Sequence, residues 1–263
     1  MRAISIAKPG QGCVNEDHAI ANEHLIAVSD GAGGGGIYAD QWSEYLVNNL
    51  PELPISSFHE LDSWIESIWE SFYNECEKKA QLVGGMVLSK FYDEGSFATL
   101  VAVWMSENKA RWITYGDSVA FCFNPTTGIL QNSFTELVDF NKPPFLINSK
   151  DELKEEGFKT GEFDIHTGDV VFCASDALSH YILMMYKLAN CGEYSEELQV
   201  AEKSGSKEST FIKNASSKKI DFKVVLKKLM NCKTIYLFER HLDKLYRDKL
   251  IALDDYSFSY KIV

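Results

Sequence analysis

The sequence lacks features expected of membrane, secreted or nucleic-acid-binding proteins. No window approaches the ~20 uninterrupted apolar residues that a membrane-spanning helix requires. The apolar stretch at residues 1–6 is too short for a secretory signal, and Pro9-Gly10 ends it. The formal net charge of -12 argues against sequence-independent nucleic-acid binding, which needs a surface rich in Lys and Arg. We therefore expect a protein that binds neither membranes nor nucleic acids.

The cysteines are few, and no two of them form a C-x-x-C pair. Cys122 and Cys173 lie inside apolar runs, where a free thiol behaves as a small hydrophobic side chain. We interpret all six as reduced thiols: Cys13, Cys76, Cys122, Cys173, Cys191 and Cys232. Reduced thiols are typical of a reducing compartment, so the sequence predicts a cytoplasmic protein.

The chain also lacks the regular alternation of strands and helices that marks a parallel, doubly wound sheet. Short apolar runs typical of strands lie at residues 3–6, 18–20, 25–28, 97–105, 110–115, 119–123, 170–174 and 257–263. Helical spacing of apolar residues occupies residues 38–50, 57–82 and much of 177–250. Residues 131–168 are mixed and polar, which is compatible with a mobile flap. The pattern favours antiparallel sheets with helices packed outside, in one domain spanning residues 1–263.

Acidic residues stand at the edges of these apolar runs throughout the chain. The clusters are Asn15-Glu16-Asp17, Asp30-Gly31, Gly116-Asp117-Ser118, Ser175-Asp176 and Asp254-Asp255. Gathering like charges costs free energy unless something positive lies between them. Divalent cations are the simplest explanation, and two such ions would make a hydrolytic site.

A first hairpin would bring two of these clusters together. If it turns at Asn22-Glu23, antiparallel partners have numbers that sum to about 45. Asp17 then lies opposite Val28 and Ser29, with Asp30 next at the same end.

Each acidic residue also has a simpler interpretation. An Asp after a strand is usually a turn former or a helix N-cap, and Asp254-Asp255 alone is more often a solvated turn. The glycine run at residues 33–36 resembles a phosphate-binding loop, but no Lys-Ser/Thr follows it as a P-loop requires. Its expected role is to let backbone approach whatever Asp30 and the Gly31 carbonyl hold.

Taken together and in this order, the clusters resemble the PP2C-type (PPM) metal-dependent serine/threonine protein phosphatases, from about residue 10 to the C-terminus. Six segments carry the resemblance: Asn15-Glu16-Asp17, Asp30-Gly31-Ala32-Gly33-Gly34, Gly95-Ser96-Phe97-Ala98-Thr99-Leu100, Gly116-Asp117-Ser118, Ser175-Asp176-Ala177-Leu178 and Asp254-Asp255-Tyr256-Ser257. The resemblance implies an α+β fold, a four-layer αββα sandwich of two antiparallel sheets flanked by antiparallel helices.

The resemblance also implies a site and a reaction. Two divalent cations, Mg²⁺ or Mn²⁺, would activate a water for in-line attack on the phosphorus of phosphoserine or phosphothreonine in a phosphoprotein substrate. Asp30 and Asp176 would be the catalytic residues, and Asp30 would bridge both ions. The implied metal ligands are Glu16, Asp17, Asp30, the Gly31 carbonyl, Asp117, Asp176 and Asp254. Asp117 with Asp176 would hold a third, weaker ion.

The sequence departs from the family pattern where substrate is gripped. Gly12 stands where many members carry a phosphate-binding Arg, and Ala32 replaces a His found in some members. Val119 and Ala177 replace a basic residue and a glycine. Two alternatives therefore stay open: a weakly active or inactive binding protein of the same fold, and a small-molecule phosphohydrolase.

Overall fold

The computed structural model describes residues 1–9, 12, 14–34 and 36–263, without the side chains of residues 207 and 208. Cys13 and part of the glycine run at 33–36 thus lie outside the described residues. The strands are β1 Arg2–Ile6, β2 His18–Ala21, β3 Leu25–Ser29, β4 Phe97–Ala98, β5 Leu100–Met105, β6 Lys109–Tyr115, β7 Val119–Phe123, β8 Leu130–Asn132, β9 Ile147–Asn148, β10 Phe158–Asp164, β11 Val170–Ala174 and β12 Tyr256–Ile262. The helices are α1 Ala39–Asn48, α2 Phe58–Val83, α3 Gly85–Glu94, α4 Asp176–Ala189, α5 Cys191–Lys203, α6 Lys207–Ser216, α7 Phe222–Met230 and α8 Ile235–Arg247.

Two five-stranded antiparallel sheets form the centre of the molecule. The first has the strand order β1-β12-β11-β7-β8, and the second has the order β10-β6-β5-β3-β2. The first and last strands of the chain pair along their length, from Arg2 opposite Tyr260 to Ile6 opposite Tyr256. A short third sheet joins β4 to β9.

The two sheets pack face to face because their strands alternate between two apolar faces. In β5, Val101 and Val103 point into the core between the sheets. Their neighbours Leu100 and Ala102 point outward, under the helices of the second sheet. In the first sheet, Val171 and the other inward residues of β11 complete the same inner core.

Helices cover both outer faces. The helices α1, α2 and α3 bury Trp42, Leu61 and Phe91 against the second sheet. The helices α4 to α8 bury a larger cluster, including Leu178 and Phe238, against the first sheet. The predicted four-layer αββα sandwich is therefore confirmed. None of the described helices combines the length and apolar character needed to cross a bilayer.

Helix boundaries follow local capping signals. The Ser57 hydroxyl accepts a hydrogen bond from the Glu60 backbone N–H at the start of α2. The Glu60 carboxylate accepts in return from the Ser56 backbone N–H at 2.6 Å, one residue earlier than a capping box requires.

Three details differ from the sequence-based expectations. The first hairpin pairs His18 with Ser29, so partner numbers sum to 47 and not to about 45. The helix α3 was not anticipated. The segment at residues 131–168 is partly built into the sheets, since β10 pairs with β6 over seven residues. Mobility of the rest of this segment stays a prediction.

Candidate metal centre

Five acidic residues lie at strand ends on one side of the sandwich. Asp17 directly precedes β2 and Asp30 directly follows β3. Because His18 pairs with Ser29, one further step along the hairpin sets Asp17 opposite Asp30. Asp117 lies in the turn from β6 to β7, Asp176 follows β11, and Asp254 precedes β12.

Asp30 is the centre of this group. Burial raises the pKa of the Asp30 carboxyl well above its usual range. The carboxylates of Asp17, Asp176, Asp117 and Asp254 raise it further, in that order. Charges influence one another in this way only at short range, so the fold brings together the five residues that the sequence separates by up to 237 positions.

Two neighbours of Asp30 show the same repulsion. Burial, followed by the Asp117 and Asp254 carboxylates, raises the pKa of Asp176 well above its usual range. Burial and Asp254 raise the pKa of Asp117 to about 6. These side chains therefore carry a large electrostatic cost that a bound cation would relieve.

Asp17 is the most deeply buried of the group, with an exposed fraction of 0%. Neither of its carboxylate oxygens has a hydrogen-bond partner among the described residues. Burial and the Asp255 carboxylate raise its pKa to about 8, although Ser175 and Asp30 lie near enough to lower it in part. A buried carboxylate without partners is costly, and buried charges in native proteins are paired or coordinate metals.

Glu16 lies beside the group, against the glycine-rich loop. The Gly33 backbone N–H lowers the pKa of Glu16, while burial and Asp255 raise it more strongly. A Cβ atom at Gly33 would lie 2.0 Å from Glu16 Oε1, so any larger residue there would displace the Glu16 carboxylate. Gly31 donates its backbone N–H to the Glu16 carbonyl at 3.1 Å. Gly31 thus lies close to the backbone of Glu16, and the expected approach of the glycine run to a bound ion stays a prediction.

The segment around Thr99 holds the Asp30 backbone in place. The Asp30 carbonyl accepts from the Thr99 N–H at 2.8 Å, and the Thr99 hydroxyl accepts from the Asp30 N–H at 3.3 Å. The same hydroxyl lies 2.8 Å from Ser118 Oγ, next to Asp117. One threonine therefore links two strand ends that carry acidic residues.

Asp255 has a role that sequence reasoning did not assign. Its side chain is 4% exposed, and its two oxygens accept from the backbone N–H groups of Lys8 and Glu16, each at 2.7 Å. It therefore pins the loop before β2 to the start of β12. The only signal in the sequence is the doubled Asp254-Asp255.

The cations near the site come from positions that the family pattern does not use. The charge of Lys8 lowers the pKa of Glu16, so its ammonium group lies at the rim of the site. On the other side, a cavity of about 290 Å³ lies between Asp117 and residues 134–159. Lys142 and Lys159 line this cavity. Gly12 is exposed and supplies no cation.

The donor set fits divalent cations. In the part of the chain that the structure describes, no three acidic, histidine or cysteine side chains are arranged to enclose an ion as they stand. Closure on an ion would therefore need side-chain rotation. The chemistry agrees nevertheless: the donors are carboxylates, Asp17 has two buried oxygens without partners, and all-oxygen sites suit Mg²⁺ or Mn²⁺.

Comparison with known proteins shows that the fold of this chain is similar to the folds of several solved structures. No protein-family model and no curated protein matches the sequence. Among solved structures, the serine/threonine phosphatase PstP/Ppp of Mycobacterium tuberculosis is 16% identical, with a TM-score of 0.57, covering 98% of this chain and 95% of that one. A second structure of PstP contains two manganese ions and has a TM-score of 0.56 at 15% identity, covering 98% of this chain and 94% of that one.

Two further phosphatase-related structures agree. The serine/threonine phosphatase Stp1 of Staphylococcus aureus is 14% identical, with a TM-score of 0.53, covering 99% of this chain and 94% of that one. PppA, described as a key regulatory component of T6SS in Pseudomonas aeruginosa, is 19% identical, with a TM-score of 0.52, covering 100% of this chain and 97% of that one. Over nearly its whole length, this chain has the fold of the PP2C-type serine/threonine phosphatases.

Proposed function

We propose that this protein is a metal-dependent phosphatase that hydrolyses phosphoserine or phosphothreonine in a phosphoprotein substrate. The observation that carries the proposal is the convergence of buried carboxylates on Asp30, with no cation among the causes of their raised pKa values. A cluster of this kind is unstable without positive charge and is suited to bind it. The PstP structure with two manganese ions has the same fold, which supports a two-ion site here.

In this proposal Asp30, Asp17, Asp176, Asp254 and the Gly31 carbonyl are the groups that would hold the two ions. Glu16 holds the loop against Gly33 and adds a further oxygen at the rim. Asp117 with Asp176 provides the third, weaker position. When bound, the ions would supply a nucleophilic water and neutralise charge on the phosphoryl group.

The side chains of the protein do the remaining work. Thr99 holds the backbone of Asp30 and Asp255 holds the backbone of Glu16, so these two carboxylates would meet an ion from fixed positions. Lys8 at the rim provides the positive charge that Gly12 lacks, and attracts the dianionic phosphate. We propose that the peptide of a substrate extends past Asp117 into the cavity that Lys142 and Lys159 line.

The cysteines support a cytoplasmic location. The five described ones, Cys76, Cys122, Cys173, Cys191 and Cys232, are free thiols. Burial raises the pKa of Cys122 to about 12, so this thiol is unreactive near neutral pH.

The test compares wild type with Asp30→Asn in the hydrolysis of p-nitrophenyl phosphate in Mn²⁺. The control is Asp164→Asn, because Asp164 lies on exposed β10 and pairs with Lys109, at the far end of β6 from Asp117. We expect a loss of at least 100-fold for Asp30→Asn and less than twofold for Asp164→Asn. Equal rates for the two variants, or activity that survives chelation, would reject the proposal.

A panel of substrates then distinguishes a protein phosphatase from a small-molecule phosphohydrolase and from a binding protein. Phosphoserine and phosphothreonine peptides should be hydrolysed with a higher kcat/KM than sugar phosphates or nucleotides at equal concentration. The reverse preference would indicate a small-molecule phosphohydrolase. Binding of Mn²⁺ without turnover of any of these substrates would indicate a binding protein of the same fold.

A further inference from the structure

The charge of the protein is distributed very unevenly along the chain. Residues 203–249, which contain α6, α7 and α8, hold 13 of the 26 basic residues but only 5 of the 38 acidic residues. This segment therefore carries a formal charge of +8, and the rest of the chain carries -20. A strongly basic region on an acidic protein points to an anionic partner. The negative charge of the rest of the chain would repel such a partner and leave the basic region as its binding surface.

Part of this basic region forms a groove with an apolar floor. The groove has a volume of about 450 Å³ and lies between α4, α7, α8 and the residues that precede α7. Met185, Val225 and Leu245 line it, and the side chain of Val224 is 45% exposed at its edge. We call this feature the basic groove. It offers apolar contact area together with charge, as peptide-binding grooves do.

Three of the four lysines that line the basic groove have no ion-pair partner among the described residues. Lys218, Lys219 and Lys228 make no ion pair among the residues that the structure describes. Of the two acidic lining residues, Asp221 caps α7 through the Val224 N–H, and Asp248 pairs with Lys244 at 3.2 Å. Three lysine charges are thus left for a ligand.

The pKa of a histidine that lines the basic groove is affected by the charges of nearby lysines. Burial lowers the pKa of His241, and the charges of Lys228 and Lys244 lower it further. His241 is therefore surrounded by positive charge from both α7 and α8. A ligand that brings carboxylates would lower the electrostatic free energy of the whole group.

Two residues that line the basic groove are close in sequence to residues of the candidate metal centre. Tyr181 lines the groove and follows Asp176 by five residues on α4, a rise of about 7 Å along the helix. Leu250 also lines it and precedes Asp254 by four residues. The basic groove and the candidate site therefore share α4 and the segment that precedes β12.

We propose that the basic groove between α7 and α8 binds an acidic segment of the phosphoprotein substrate, with apolar residues of that segment on its floor. The identification of the partner as a substrate rests on the proposed phosphatase function. The concave shape and apolar floor favour a peptide over a lipid surface, because a flat bilayer cannot enter a groove. The lost phosphate grip at Gly12 makes such a second contact useful for substrate capture.

The binding test uses a fluorescein-labelled 12-residue peptide that alternates glutamate with leucine, measured by fluorescence anisotropy with the full chain. The groove variant is Lys219→Glu with Lys228→Glu. The matched control is Lys223→Glu with Lys227→Glu, which makes the same charge change on exposed residues of α7 outside the groove. We expect saturable binding by wild type, at least tenfold weaker binding by the groove variant and less than threefold weaker binding by the control.

A milder variant guards against misfolding. Lys228→Gln removes one charge without adding a repulsive one and should weaken peptide binding by two- to threefold. A peptide with glutamine in place of glutamate should bind at least tenfold more weakly than the acidic peptide. Circular dichroism melts of all variants should match wild type, since every altered side chain is exposed.

The outcomes separate this inference from the phosphatase proposal. The basic-groove proposal would be rejected, whatever the phosphatase activity, if wild type did not bind the peptide. It would also be rejected if the groove and control variants lost binding equally. Binding to phosphatidylserine vesicles that exceeds peptide binding would reject it as well. Peptide binding without hydrolysis of p-nitrophenyl phosphate would uphold the groove and reject the phosphatase. For an active enzyme, an acidic extension should raise kcat/KM on a phosphopeptide at least fivefold, and the groove variant should lose that gain.

Discussion

The stability of the metal-free protein should fall as pH rises, against the usual trend. The folded pKa of Asp17 is about 8, raised from an ordinary value of 3.8. Between those two values the folded state binds a proton that the unfolded state releases, so each pH unit costs about 1.4 kcal/mol of unfolding free energy. From pH 5 to pH 7, Asp17 alone should remove about 3 kcal/mol, a large part of a typical 5–15 kcal/mol. The raised pKa values of Asp30 and Asp176 act in the same direction.

The assay is urea unfolding by circular dichroism at pH 5, 6, 7 and 8, in EDTA and in excess MgCl₂. The fall should appear in EDTA and largely vanish with the cation, which binds the deprotonated carboxylates. Asp17→Asn should flatten the EDTA curve. A stability in EDTA that is constant or rises with pH would refute the reasoning, as would an Asp17→Asn curve with the slope of wild type.

Three other predictions concern single contacts. Asp255→Asn cannot accept from both N–H groups of Lys8 and Glu16, so it should cost about 1–3 kcal/mol in urea unfolding and weaken Mn²⁺ binding in calorimetry. Lys8→Gln should raise KM for p-nitrophenyl phosphate about threefold or more with kcat changed less; an unchanged KM would remove Lys8 from the site. Glu197→Gln should cost about 3 kcal/mol, because Lys187 is 5% exposed and would lose its ion-pair partner; a cost below 1 kcal/mol would contradict this.

Strands buried on both faces were the most predictable part of the fold. The runs at residues 119–123 and 170–174 match β7 and β11 to the residue, because every side chain in them is buried. The first hairpin was less predictable. Asn22 Oδ1 accepts from the N–H groups of His24 and Leu25, which closes a three-residue loop. That side-chain bond, absent from the hydrophobic pattern, shifts the pairing by two.

The candidate site also has features that could be predicted from the sequence and features that could not. The acidic residues could be placed at one end from the sequence, because each stands beside an apolar run and a strand has a definite end. The hydrogen bonds from the Lys8 and Glu16 backbone N–H groups to the Asp255 carboxylate could not be predicted. They join residues up to 247 positions apart through backbone groups. The unexpected helix α3 begins at Gly85, and the positive φ of Gly84 and Gly85 separates it from α2. A pattern of apolar spacing alone does not locate such a break.

The most direct test of the metal centre is the number of Mn²⁺ ions bound per chain, measured by isothermal titration calorimetry on chelator-treated protein. The proposed site predicts two tightly bound ions and at most one further weak ion for wild type, with proton release near neutral pH, and at most one weak ion for Asp30→Asn. No binding, or identical stoichiometry and affinity in wild type and Asp30→Asn, would contradict the account.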